Sequence, residues 1–151
     1  MSQREQYRAH LQQMCDWESY LLAESRLPGP MANLELAMAA ADEGDEAQFL
    51  SWLSLDAEAA PADTPAEFLP ICGALGLGRL LAEGGGGVLP RLRAAAHDPR
   101  PRLREAVAMA LQRWGAADRG ALLAEMEKWA TGSLYERQAA AAALSEPSTS
   151  L

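Results

Sequence analysis

The chain is short of most residues that announce a chemistry. Of its 151 residues two are cysteine and two are histidine, and aromatics make up 6%. Cys15 and Cys72 lie far apart, with no His or Cys partner at ligand spacing, so neither a disulfide framework nor a zinc pattern is supported. Both read as buried, apolar-like thiols of a reducing compartment. His10 and His97 have no carboxylate or cysteine at metal-ligand spacing, and no metal is expected. No uninterrupted run of 18 apolar residues occurs, which argues against a membrane span. The polar start Met1-Ser2-Gln3-Arg4-Glu5 lacks the apolar core of a secretory signal, and a cytoplasmic location is expected. No segment alternates polar and apolar residues as a strand requires. No nucleophile elbow or paired-carboxylate motif appears, so no catalytic residue and no cofactor are expected. The Gly84–Gly87 run lacks the Lys-Ser/Thr that would make it a phosphate cradle, and reads as a connector.

What the chain does have is hydrophobic residues, 49% of the total and rich in alanine, enough for one helical domain with a real core. Its net charge of −8 is unevenly placed. Residues 1–70 carry −10 and residues 71–151 carry +2. That balance argues against general nucleic-acid affinity and leaves room for a local basic face.

Tyr7, Leu11, Met14, Trp17 and Leu21 share one helical stripe, which predicts a helix over 3–24 ended by Leu27-Pro28-Gly29-Pro30. A second helix is expected over 31–43. Asp45 to Gln48 forms a capping box that opens a third over 45–54. Residues 55–63, rich in Ala, Asp and Pro, read as the longest loop. Thr64-Pro65-Ala66-Glu67 starts a fourth helix to about 82, which Pro70, Gly73, Gly76 and Gly78 weaken, so that a kink or a short break is expected. Further helices follow over 88–97, 101–114 with Gly115 as its cap, 118–130 opened by Asp118, and 134–145 opened by the box Ser133–Glu136. Residues 146–151 are expected to form a disordered tail.

These helices repeat. Ala106–Leu111 matches Ala139–Leu144 at an offset of 33 and Cys72–Leu77 at an offset of 34, each with small residues at alternate places and a closing Leu. The preceding helices align as well, Val88-Leu89 and Leu92 with Leu122-Leu123 and Met126. Four pairs result, about 3–43, 45–82, 88–114 and 118–145. A period in this range means stacked pairs that bury a continuous core.

Asp98-Pro99, followed by Leu103-Arg104-Glu105-Ala106-Val107-Ala108-Met109-Ala110-Leu111, resembles the second helix of a HEAT repeat, and Arg137–Leu144 resembles a weaker copy. Through Trp17–Leu22, Leu27–Leu36 and Arg104–Trp114, the chain is similar to bacterial HEAT-repeat proteins related to the DNA alkylation repeat, or alkylpurine glycosylase-like, superfamily. It looks like a short version, since members of that family often continue with further repeats. The resemblance implies an all-α, right-handed α-solenoid of about four HEAT-like pairs. It also implies that Asp98 and Arg104 fasten neighbouring repeats by charge-assisted hydrogen bonds.

Arg91, Arg93, Arg100 and Arg102 are the candidate binding residues, crowded with Arg104 and Arg113 against only Asp98 and Glu105. They read as solvated or structurally paired arginines, some meeting the acidic first half, as a face for a protein partner, or as an anion or phosphate-backbone surface. Two functions follow. The first is a non-catalytic protein-binding scaffold, its partner meeting the inner helices 64–82, 101–114 and 134–145. The alternative, implied by the resemblance, is DNA binding or alkylbase excision through the Arg91–Arg104 cluster, with Trp114, Asp118 and Trp129 supplying the residue types of a damaged-base site. Ala140 and Leu144 on the last pair also predict self-association, because terminal repeats need a polar cap.

Overall fold

The computed structural model describes residues 1–147 and 150–151. Among them every regular element is helical: α1 (Gln3–Gln12), α2 (Trp17–Ala23), α3 (Leu34–Glu43), α4 (Glu46–Leu53), α5 (Phe68–Ala82), α6 (Leu89–Ala95), α7 (Pro101–Ala117), α8 (Arg119–Trp129) and α9 (Leu134–Ala143). Short 3-10 turns over Pro65–Glu67 and Gly86–Val88 lead into α5 and α6.

The expected first helix divides in two. Asp16 accepts a hydrogen bond from the Ser19 N–H at 3.1 Å and caps α2. The Trp17 indole N–H donates to the Leu11 carbonyl at 3.0 Å and turns the chain back on itself. Cys15 sits in this turn and is exposed, against expectation, whereas Cys72 is fully buried. Both capping boxes form as expected, Asp45 with Gln48 and Ser133 with Glu136. The start at Thr64 is different. The Thr64 hydroxyl donates to the Pro61 carbonyl, and Glu67 reaches back to the Asp63 N–H instead. Gly115 does not end α7, which runs on to Ala117. A Cβ there would strike the Leu122 side chain, so the position serves the close approach of α8.

α5 is the axis of the core. Every residue from Phe68 to Gly78 is buried. The 18 residues Pro65–Ala82, with mean hydropathy 1.2, are long and apolar enough to cross a membrane, but 72% of them are buried among the other helices. A helix apolar on all sides is a core helix in such a setting. The helix runs from Phe68 to Ala82 without a break, since Pro70 falls in the first turn, where a missing N–H costs little. The glycines serve packing: a Cβ at Gly73 would stand 2.6 Å from the Phe49 carbonyl oxygen, and one at Gly78 would stand 2.6 Å from Ala110 Cα. α4 and α7 can therefore come close on two sides.

The packing runs in series, with α3 on α5, α5 on α7 and α7 on α9. α1 lies against α3, α4 against α5, α6 against α7, and α8 against α9. The last residue departs from the expected disordered tail. Ser148 and Thr149 lie outside the described residues, but Leu151 is 7% exposed and joins the hydrophobic core.

Candidate binding groove

The arginines singled out by the sequence do not converge on one surface. Arg100 is 2% exposed. Its guanidinium forks onto the Asp98 carboxylate at 2.8 and 2.9 Å and donates to the carbonyls of Leu55, Asp56 and Ala60. The 55–63 loop is thereby tied to the start of α7, and Arg100 is removed from any binding surface. Arg93 pairs with Glu136 on α9 and lies over the Trp129 ring, 5.7 Å from its centroid. Arg93 and the Ser133 N–H hold the Glu136 carboxyl down at about 2. Arg91, half-buried on α6, differs from the other three candidates in forming no ion pair among the described residues. Asp98 and Arg104 do not join by their side chains as expected. Asp98 spends its carboxylate on Arg100 in its own turn, while Arg104 donates to the Asp98 carbonyl at 2.8 Å and covers the Tyr135 ring of α9. Arg104 thus does bridge two pairs, but through an aromatic face.

The residues that resembled a base-excision site are occupied structurally. Asp118 caps α8 through the Ala121 N–H at 3.1 Å. Trp129 is fully buried, its indole N–H donating to Glu125. Trp114 packs half-buried against the core.

The pairing of the second half with the acidic first half is visible instead. Arg102 contacts Asp63 at 3.0 Å and Glu67 at 3.5 Å, and donates to the Gly29 carbonyl and to the main-chain oxygen of Leu151. Arg113 meets Asp42 at 3.0 Å, on the same carboxylate that Arg4 grips with two hydrogen bonds. Burial pushes the Asp42 carboxyl up, but the hydrogen bonds and charges of Arg4 and Arg113 outweigh it and hold it below its ordinary range. Arg79 caps the end of α3, one guanidinium nitrogen reaching the carbonyls of Ala41, Asp42 and Gly44 at 2.7–2.9 Å.

These ties frame a groove of about 430 Å³. Leu34, Met38 and Ala41 of α3 form one wall, and Met109, Ala110 and Gln112 of α7 form the other. Leu75 of α5, Arg4, Arg113 and Pro147 complete the lining. Of the three inner helices expected to meet a partner, α5 and α7 contribute; α3, which also packs on α5, lines the groove in place of α9. α9 lines a second depression of about 290 Å³ with α7, walled by Arg104, Glu105, Tyr135 and Gln138. The groove was missed in the sequence because its residues come from three helices far apart in the chain. The spacing of Leu34, Met38 and Ala41 at i, i+4 and i+7 is the one local signal for it.

Among the described residues no group of three or more His, Cys, Asp or Glu side chains is placed to hold a metal. Set against protein-family models, curated proteins and solved structures, the chain matches none.

Proposed function

We propose that the chain is a non-catalytic binding module, a right-handed solenoid of four HEAT-like helix pairs that holds a segment of a protein partner in the groove between α3 and α7. The observation that carries this reading is the groove's composition. Its walls are apolar and include two methionines, Met38 and Met109, whose flexible side chains adapt to varied partners. Its charged lining residues, Arg4 and Arg113, are already fixed on Asp42. Apolar walls with a few placed polar groups suit the capture of a protein segment. The serial packing of α3, α5, α7 and α9 supports the solenoid, in which such second helices line one side. Free Cys15 and Cys72 support a reducing, cytoplasmic setting.

The open end of the array supports self-association. Leu123, Leu134, Tyr135 and Leu144, between 39% and 59% exposed, all lie on or just after the last pair. Ala140, the other residue expected there, is buried instead.

The test of the groove is direct. Peptides selected on the chain from a random display library are measured by fluorescence anisotropy against the parent and Met109→Glu. Binding that falls at least tenfold on Met109→Glu is expected. Selected peptides that bind both chains equally would remove the groove from the proposal.

A further inference from the structure

The groove between α3 and α7 presents charge of one sign. Among its described lining residues Arg4 and Arg113 alone are charged. Asp42, which answers them both, is not part of the lining. Its side chain is 4% exposed, against 31% for Arg4 and 33% for Arg113. The two guanidiniums meet on one oxygen. Arg4 donates from Nη2 to Asp42 Oδ1 at 2.7 Å, and Nη2 of Arg113 stands 3.0 Å from the same atom. Arg4 also commits its Nε–H to Oδ2 at 2.6 Å.

Two cations on one hidden anion leave a positive charge in excess. Among the described residues, Asp42 is the one carboxylate within ion-pair distance of Arg4 or of Arg113. Arg8 approaches Asp42 at 3.8 Å and adds to the excess, but Glu43 holds it closer, at 2.7 Å. Glu35 acts on Arg4 from further away and is exposed, so water and salt screen it. Because Asp42 already gathers the two guanidiniums, a ligand would meet them assembled, which lowers the ordering cost of binding.

Guanidinium groups bind carboxylates and phosphates. The surroundings choose between these. One excess charge matches a single carboxylate, whereas a phosphate brings nearly two. A sugar–phosphate strand would also lay charge on Leu34, Met38 and Met109, where desolvation opposes it. The net charge of −8 repels a polyanion at longer range.

We propose that the groove selects a protein segment carrying an aspartate or glutamate beside apolar side chains. The carboxylate seats on Arg4 and Arg113, and the apolar side chains lie on Leu34, Met38 and Met109. This rests on the reading of the groove as a binding surface and adds to it the charge of the partner. An amide in place of the carboxylate would leave the excess charge unanswered in a site dried by contact, and a lysine would be repelled.

The probes are decapeptides selected on the chain from the random display library, resynthesised with acetylated and amidated ends so that every carboxylate is a side chain. Binding is followed by titration calorimetry. Peptides weakened by Met109→Glu are expected to contain Asp or Glu, and replacing that residue by its amide should weaken binding to the parent at least tenfold. This comparison uses the unaltered chain and so is free of folding effects. Arg113→Gln should weaken the acidic peptide at least tenfold and its amide less than twofold, with Arg113→Lys falling between. Peptides that depend on Met109 but bind the parent equally as acid and amide would overturn the inference and leave the groove reading in place. Selected peptides indifferent to Met109→Glu would overturn both. Tenfold tighter binding with phosphoserine at the acidic position would overturn the choice of a carboxylate.

Discussion

The surroundings of Phe49 and of Leu134 set two similar helix pairs in different company. Phe49, on α4, is fully buried, with Arg79 5.5 Å from its ring centroid, and its ring lies where a Cβ on Gly76 would stand. Its pair has α3 on one side and α7 on the other. Leu134 begins α9 in the last pair and is 59% exposed. Both helices begin with a complete capping box, so local sequence does not explain the difference. What differs is the position in the series. A helix pair packed on two sides has both faces covered, and one packed on a single side keeps an apolar face in water.

The comparison can be broken most severely at Phe49. Phe49→Ala leaves a hole against glycines that have no side chains to fill it, and should cost about 3–5 kcal/mol in urea unfolding. A loss below about 1 kcal/mol would mean that α4 and α5 close over the gap. Arg100→Ala comes next. It strips the donor from the Leu55 and Ala60 carbonyls and the partner from Asp98, and should cost about 3 kcal/mol by the same measurement. Retention of full stability would show that water replaces the guanidinium there.

The last pair should respond to acid. Glu136 titrates at about 2 instead of its ordinary 4.5, so its contribution is present above 4.5 and lost as pH falls through about 2. Thermal unfolding of the parent between those limits should therefore fall more steeply than that of Glu136→Gln, and parallel curves would deny Glu136 the role. The smallest effect on stability is expected at Leu134. Leu134→Glu should change unfolding by less than about 0.5 kcal/mol. It should, however, lower the mass seen by light scattering if the open end pairs with a second copy. A parent chain that scatters as a monomer at all concentrations would sink self-association.

Much of the helical layout was legible because caps and apolar stripes are local. Asp45–Gln48, Asp118 and Ser133–Glu136 each open a helix where their side chains suggest. The break at Gln13–Asp16 was not legible, since Tyr7 through Leu21 keep one unbroken stripe across it. A hydrogen bond from Trp17 back to Leu11 overrides that stripe. The candidate site was read less well, because neighbouring arginines in sequence are sent to different partners. Arg93 meets a residue 43 positions away, Arg100 carbonyls 40–45 away, and Arg102 a carboxylate 39 away. A cluster of like charges in a sequence says that acceptors are needed, but not where they will be found.

Arg100 also sets an order of events. The carbonyls of Leu55, Asp56 and Ala60 have their shared donor only after a residue some 40 positions later has been synthesised. Until α7 begins, the Leu55 and Ala60 carbonyls lack this donor, and closing so long a contact carries an entropic cost that must be met before the reward arrives. The α4–α5 loop therefore takes its finished form only with α7 in place, through a connection that bypasses the stacking of helix on helix.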